Sequence, residues 1–159
     1  MARCVDDAIR TLRRFEKNLR RVDGDALLYV IAVDQLRTKG ECLGVAGTVM
    51  SNLGLELAME SLGIPFARAN VGDRYVNELM QENGWKLGGE SSGHIICSDV
   101  TTTGDGLVAA LKVLFAIVST GKSLADLVAG MTVCPQTMIN VPRNKALDMD
   151  KNTAIKSAV

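Results

Sequence analysis

From Gly44 to Ser98 the chain alternates short apolar runs with capped, helix-patterned segments, and that order is hard to fold as anything but layered α/β. Gly44–Met50 (GVAGTVM) has the length and apolarity of a buried strand. Ser51-Asn52 behind it can cap a helix whose stripe is Leu55, Met59 and Leu62, with Gly63 and Pro65 as its stop. Phe66–Val71 reads as a second strand. Asp73 is placed to cap a helix with Val76, Leu79 and Met80 inward and Gly84 as its end. Trp85–Gly88 and His94–Ser98 are patterned as two further short strands, and Gln136–Val141 as a last one before Pro142. Between them, Leu107–Ser119 is a helix pattern apolar on nearly every side, which predicts deep burial. Ser123 and Asp126 stand at capping-box spacing for a short helix. The expected fold class is therefore α/β, a layered sheet with covering helices.

Before this core, Asp25 is placed to cap a helix over 26–36, although Tyr29-Val30-Ile31 is also strand-like. Residues 1–21 differ from the rest. Val5, Ile9, Leu12, Phe15 and Leu19 form one helical stripe. Seven basic side chains stand there against three acidic ones, so this stretch is +4 and the remainder of a neutral chain is −4. A solvated basic face is the simplest reading, with a nucleic-acid or membrane contact as the other. The zero net charge gives no global reason to expect either nucleic acid or an anionic membrane as partner. No apolar stretch has the length of a membrane span, since Lys112 interrupts the longest one. Four cysteines without CxxC spacing and a single histidine make no zinc pattern; they suit reduced thiols in the cytoplasm. The stretch 142–159 is polar and without a firm period.

The chemistry-bearing stretch is GGESSGHIICSDVTTTGDG, residues 88–106, which holds His94. A Ser–His–acid triad is a poor fit, because Ser92 and His94 share one turn and no G-x-S-x-G elbow is present. One His with one Glu is too few ligands for a metal site. Two readings remain level from chemistry alone. Glu90, Ser92 and His94 together can grip a polyhydroxylated ligand, since the carboxylate accepts hydroxyl donors and serine and imidazole do both. The same residues can also be a turn that satisfies itself. Asp105 reads as a helix cap. Arg74 is able to reach a phosphate or carboxylate, and Ser91 is a further accessory candidate.

Taken in order, VDGDALLYVIA (22–32), GTVMSNLGLELAMESLGIPFARANVGDRYV (47–76), QENGWKLGGESSGH (81–94) and TTTGDGLVAALKVL (101–114) resemble the α-D-phosphohexomutase superfamily. The wording leans to its phosphoglucosamine branch. The resemblance implies a four-domain enzyme that moves phosphate between the 6 and 1 positions of a hexosamine through a bisphosphorylated intermediate. It implies a phosphoserine on the first domain, a magnesium loop of DGDGDR type on the second, a GE-x-SGH sugar loop on the third and a phosphate loop on the fourth. Carried over, the substrate-binding loop is Glu90, Ser92 and His94, with Arg74 and Ser91 as accessories. The phosphoserine, DGDGDR and RxSGTE loops have no counterpart in this sequence, so no catalytic residue and no magnesium ligand is expected here. The implied division is 1–21 outside the pattern, 22–43 the tail of domain 2, 44–141 domain 3, and 142–159 a truncated polar tail. The implied partners are a phosphorylated hexosamine and the other mutase domains, with turnover absent from this chain alone. A non-catalytic phosphosugar-binding module, or a piece of a phosphomannose or phosphoglucose mutase, is the alternative.

Overall fold

The computed structural model describes residues 22–137 and 139. The stripe expected at 5–19 and the polar tail at 142–159 lie outside the described residues. Nine elements follow in chain order: α1 Gly24–Lys39, β1 Val45–Thr48, α2 Leu53–Ser61, β2 Phe66–Ala69, α3 Asp73–Asn83, β3 Leu87–Gly89, β4 Ile95–Cys97, α4 Gly106–Thr120 and α5 Leu124–Val128. The strands form one sheet in the order β2-β1-β3-β4. β1 pairs parallel with both β2 and β3, and β4 closes the edge antiparallel to β3.

The period-2 alternation of the strands sorts side chains onto two faces. Val45, Leu87, Ile95 and Cys97 face the larger core, against Leu28 and Ile31 of α1, Leu55 and Met59 of α2, and Val113 and Ala116 of α4. Ala46, Ala69 and Ile96 face the smaller core, against Val76 and Met80 of α3. The small residues on this second face set how close α3 can lie. A Cβ on Gly88 would come within 2.7 Å of the Met80 sulfur and 2.8 Å of a Val76 methyl. The result is helices on both faces of a short, mostly parallel sheet.

α1 is buried on almost every side, since the sheet, α2, α4 and α5 all pack against it. That burial settles the strand-like Tyr29-Val30-Ile31 run as helix. Residues 22–43, expected to close a preceding domain, thus supply the central helix of the same core as β1 and β3.

The helix starts correct two cap assignments. Asp23, not Asp25, caps α1, accepting the Ala26 N–H at 3.0 Å. Asp25 turns inward instead and accepts the Asn52 N–H at 2.7 Å, joining α1 to the loop after β1. At α3 the cap position is Gly72, with no side-chain cap bond; Asp73 is the first helical residue and accepts the Arg74 N–H. Asn52, Asp105 and Ser123 cap as expected, the last in a reciprocal box with Asp126.

Two larger expectations also change. α4 is not deeply buried: only Ala109, Val113 and Ala116 are. Leu107, Leu111, Leu114, Phe115 and Val118 are 54–81% exposed. An all-round apolar pattern shows that a helix can be covered on each side, and among the described residues the covering elements reach one side only. Gln136, Thr137 and Ile139 form no strand, and the rest of the expected final strand lies outside the described residues. Cys42, Cys97 and Cys134 are free thiols. No helix among the described residues is long and apolar enough to cross a membrane.

Candidate functional site

Because β1, β2 and β3 are parallel, their carboxyl ends lie on one edge of the sheet. Open α/β sheets place ligands at that edge. Three loops collect there: Val49–Asn52 after β1, Asn70–Gly72 after β2, and the hairpin Glu90–His94 between β3 and β4. The hairpin therefore stands where a recognition loop is useful, and it is held there by backbone. The Glu90 N–H donates to the His94 carbonyl at 3.1 Å, and the Gly93 N–H to the Glu90 carbonyl at 2.9 Å.

Two neighbours fix its position. The Gly24 N–H, at the start of α1, donates to the Ser91 carbonyl at 2.9 Å. A Cβ on Gly24 would overlap the Glu90 carbonyl oxygen and lie 2.6 Å from the Gly93 nitrogen, so only glycine lets α1 sit this close. On the opposite side, a Cβ on Gly104 would overlap the His94 imidazole. The ring thus rests on the bare backbone that leads into α4.

The side chains are held as follows. Glu90 Oε1 accepts the Gly72 N–H at 3.0 Å, which ties the hairpin to the turn before α3. Its Oε2 has no hydrogen-bond partner among the described residues and is available to a ligand hydroxyl. His94 Nε2 lies 3.5 Å from Asp73 Oδ2, with both side chains substantially exposed. Ser92 is exposed, and its hydroxyl has no partner among the described residues. Glu90, Ser92 and His94 are therefore brought together on one hairpin. Arg74 is not joined to them: its guanidinium extends into solvent and donates to Glu78 Oε1 at 2.8 Å. Ser91 contributes its carbonyl to α1 and lines a cleft of about 660 Å³ beside the hairpin, with Asp23, Asp25, Met50, Asn52, Gln136 and Thr137.

Sequence reasoning assigned Asp73 to a cap and overlooked it as the partner of His94, and it gave Gly24 and Gly104 no role. Both glycines act through contacts between segments far apart in the chain, which spacing does not reveal. The Gly72-Asp73 pair carried the one available signal, a glycine before an acid at a strand's carboxyl end.

Magnesium does not fit the donors present. Among the described residues no three His, Cys, Asp or Glu side chains are grouped to hold a metal ion. Asp23 and Asp25 are close in sequence, but one oxygen of each is committed to a backbone N–H. Burial pushes the Asp25 carboxyl above its ordinary value, against the Asn52 N–H and Ser51 hydroxyl that pull it down. Burial likewise pushes the Cys97 thiol up to about 11, so it stays protonated and unreactive.

The comparisons with known proteins agree with this fold. Residues 23–134 match the family description "Phosphoglucomutase/phosphomannomutase, alpha/beta/alpha domain III". The chain is 58% identical over 138 residues to the phosphoglucosamine mutase of Cellvibrio japonicus (strain Ueda107), covering 87% of this chain and 31% of that protein. It is 61% identical over 120 residues to the phosphoglucosamine mutase of Aeromonas salmonicida (strain A449), covering 76% of this chain and 27% of that one. It thus spans about a third of the length of the relatives it matches. Among solved structures it resembles the apo-form of an N-acetylglucosamine-phosphate mutase, with TM-score 0.63 and 18% identity over 78% of this chain and 32% of that one. It also resembles a phosphoglucomutase/phosphomannomutase family protein from Burkholderia thailandensis, with TM-score 0.58 and 22% identity over 71% of this chain and 24% of that one. The chain belongs to the phosphoglucomutase/phosphomannomutase family and carries its alpha/beta/alpha domain III.

Proposed function

We propose that the chain is the sugar-recognition part of a phosphoglucosamine mutase, in which glucosamine 6-phosphate and glucosamine 1-phosphate interconvert by phosphoryl transfer. The observation that carries this reading is the Glu90–His94 hairpin, fixed at the carboxyl edge of the sheet with Glu90 Oε2 and the Ser92 hydroxyl without a partner among the described residues. A bisphosphorylated sugar has to be held in two opposite orientations. A carboxylate and a hydroxyl, which recognise sugar hydroxyls without reading one fixed direction, serve both poses. His94, resting on Gly104 beside Asp73, completes the loop. Identity to relatives named phosphoglucosamine mutase supports the choice of hexosamine.

Phosphoryl transfer rests on positioning and electrostatics around the moving group. This chain supplies the positioning of the sugar. The nucleophile and the magnesium ligands come from other mutase domains in this reading, and the setting is the cytoplasm.

Titrating glucosamine 6-phosphate into the full chain and following amide NMR shifts tests the site. Shifts should centre on 89–95 and 70–73. Glu90→Ala should weaken binding about tenfold, the worth of a hydrogen bond to a charged group. Shifts confined to other regions, or affinity unchanged in Glu90→Ala, would overturn the assignment.

A further inference from the structure

One corner of the hairpin site carries negative charge that no described basic side chain neutralises. Glu90 Oε1 accepts the Gly72 N–H at 3.0 Å, and Asp73 is the next residue, so the two carboxylates share that corner. Asp73 Oδ1 accepts the Arg74 N–H at 2.7 Å, while Oδ2 lies 3.5 Å from His94 Nε2. The Asp73 side chain is 61% exposed, so a ligand on the hairpin can reach it. Arg74, its neighbour in the chain, turns away and donates to Glu78. Arg37, Lys39, Arg68 and Lys112 are paired elsewhere in the fold with Asp34, Asp99 and Glu56.

This polarity decides which part of a hexosamine phosphate can lie at the corner. Asp73 and Glu90 repel phosphate groups. The Gly72 N–H, which the start of α3 could offer an anion, is already taken by Glu90. A sugar hydroxyl needs a single acceptor, and Glu90 Oε2 provides one. An ammonium group is the one positive part of such a ligand; it carries several donors and gains from both carboxylates. Glucosamine and glucose differ at this group alone, an ammonium in the first and a hydroxyl in the second. The family description names phosphoglucomutase and phosphomannomutase, whereas the relatives compared above are named for glucosamine.

We infer that Asp73 is a specificity-determining residue of the sugar site, contacting the ammonium group of the hexosamine and favouring it over a neutral hexose. The inference rests on the sugar-recognition reading of the Glu90–His94 hairpin. His94 Nε2, beside Asp73 Oδ2, keeps the carboxylate turned toward the hairpin.

Parallel NMR titrations of the full chain with glucosamine 6-phosphate and glucose 6-phosphate, at one ionic strength, test this. Both sugars should shift amides of 89–95. The amino sugar should bind about fivefold more tightly, the upper worth of an exposed ion pair. Asp73→Asn, which keeps the side-chain oxygen and loses the charge, should bring that ratio close to one, and Asp73→Ser should do the same. A purely structural role for Asp73 would weaken both sugars together and leave the ratio as it was. Equal affinities in the parent chain, or a ratio retained in both variants, would overturn the inference while the sugar loop stands. Absence of shifts at 89–95 with either sugar would remove the sugar-loop reading itself, and this inference with it.

Discussion

At the scale of single residues, the site depends as much on missing side chains as on present ones. Glu90 was legible because a carboxylate among glycines invites a ligand; its anchor, the Gly72 N–H, was not, because the contact joins loops 18 residues apart. Gly104→Ala should push the His94 imidazole off its seat and destabilise the fold by about 2 kcal/mol, in the range of overpacking. Its check is urea unfolding together with the His94 ring shifts in NMR; an unmoved ring would refute the seating. Asp25 gives a pH prediction. Its carboxyl is raised above the ordinary value of 3.8 chiefly by burial. The folded form then holds the proton more tightly than the unfolded one. This contribution is complete below the ordinary value and is lost as pH rises through the raised one. Asp25→Asn should therefore lose less stability than the parent chain as pH rises above the ordinary carboxylate value. Parallel stability curves for the two proteins would count against it.

Among the elements, α4 was read correctly in extent and capping but incorrectly in burial. Its bounds follow from local signals: Asp105 accepts the Leu107 and Val108 N–H groups, and Gly121 ends it in a left-handed conformation. Asp105→Ala should cost about 1 kcal/mol in chemical denaturation. Its far side is anchored by charge. Asp99 accepts from Lys112 of α4 at 2.9 Å and from Lys39 of α1 at 3.2 Å. Burial pushes the Asp99 carboxyl up, but the two ammonium groups outweigh it and hold it below its ordinary value. A lowered folded value stabilises above the ordinary carboxylate range, and the benefit is lost as pH falls through the folded value. Asp99→Asn should cost about 1 kcal/mol at pH 7. The two proteins should converge in acid, as thermal melts across pH would show.

For the whole molecule, the chain spans about a third of the length of the mutases it resembles, and the proposed function is a share of such an enzyme's work. A coupled assay for glucosamine 1-phosphate, run with the purified chain and a bisphosphate activator, should show no turnover. Turnover abolished by Glu90→Ala would contradict that division of labour. By itself the sequence determined the α/β class, most of the element order and most helix ends, and it marked Glu90–His94 as a candidate recognition loop. Those properties are written in short-range terms: periodicity, caps, and polar residues clustered within a few positions. Only the tertiary structure decided which acid caps α1, that α1 is the centre of the core, that Asp73 faces His94, and that the described elements cover α4 on one side only. Each of these is set by contact between segments distant along the chain, where local pattern is silent and the packing of the sheet edge governs.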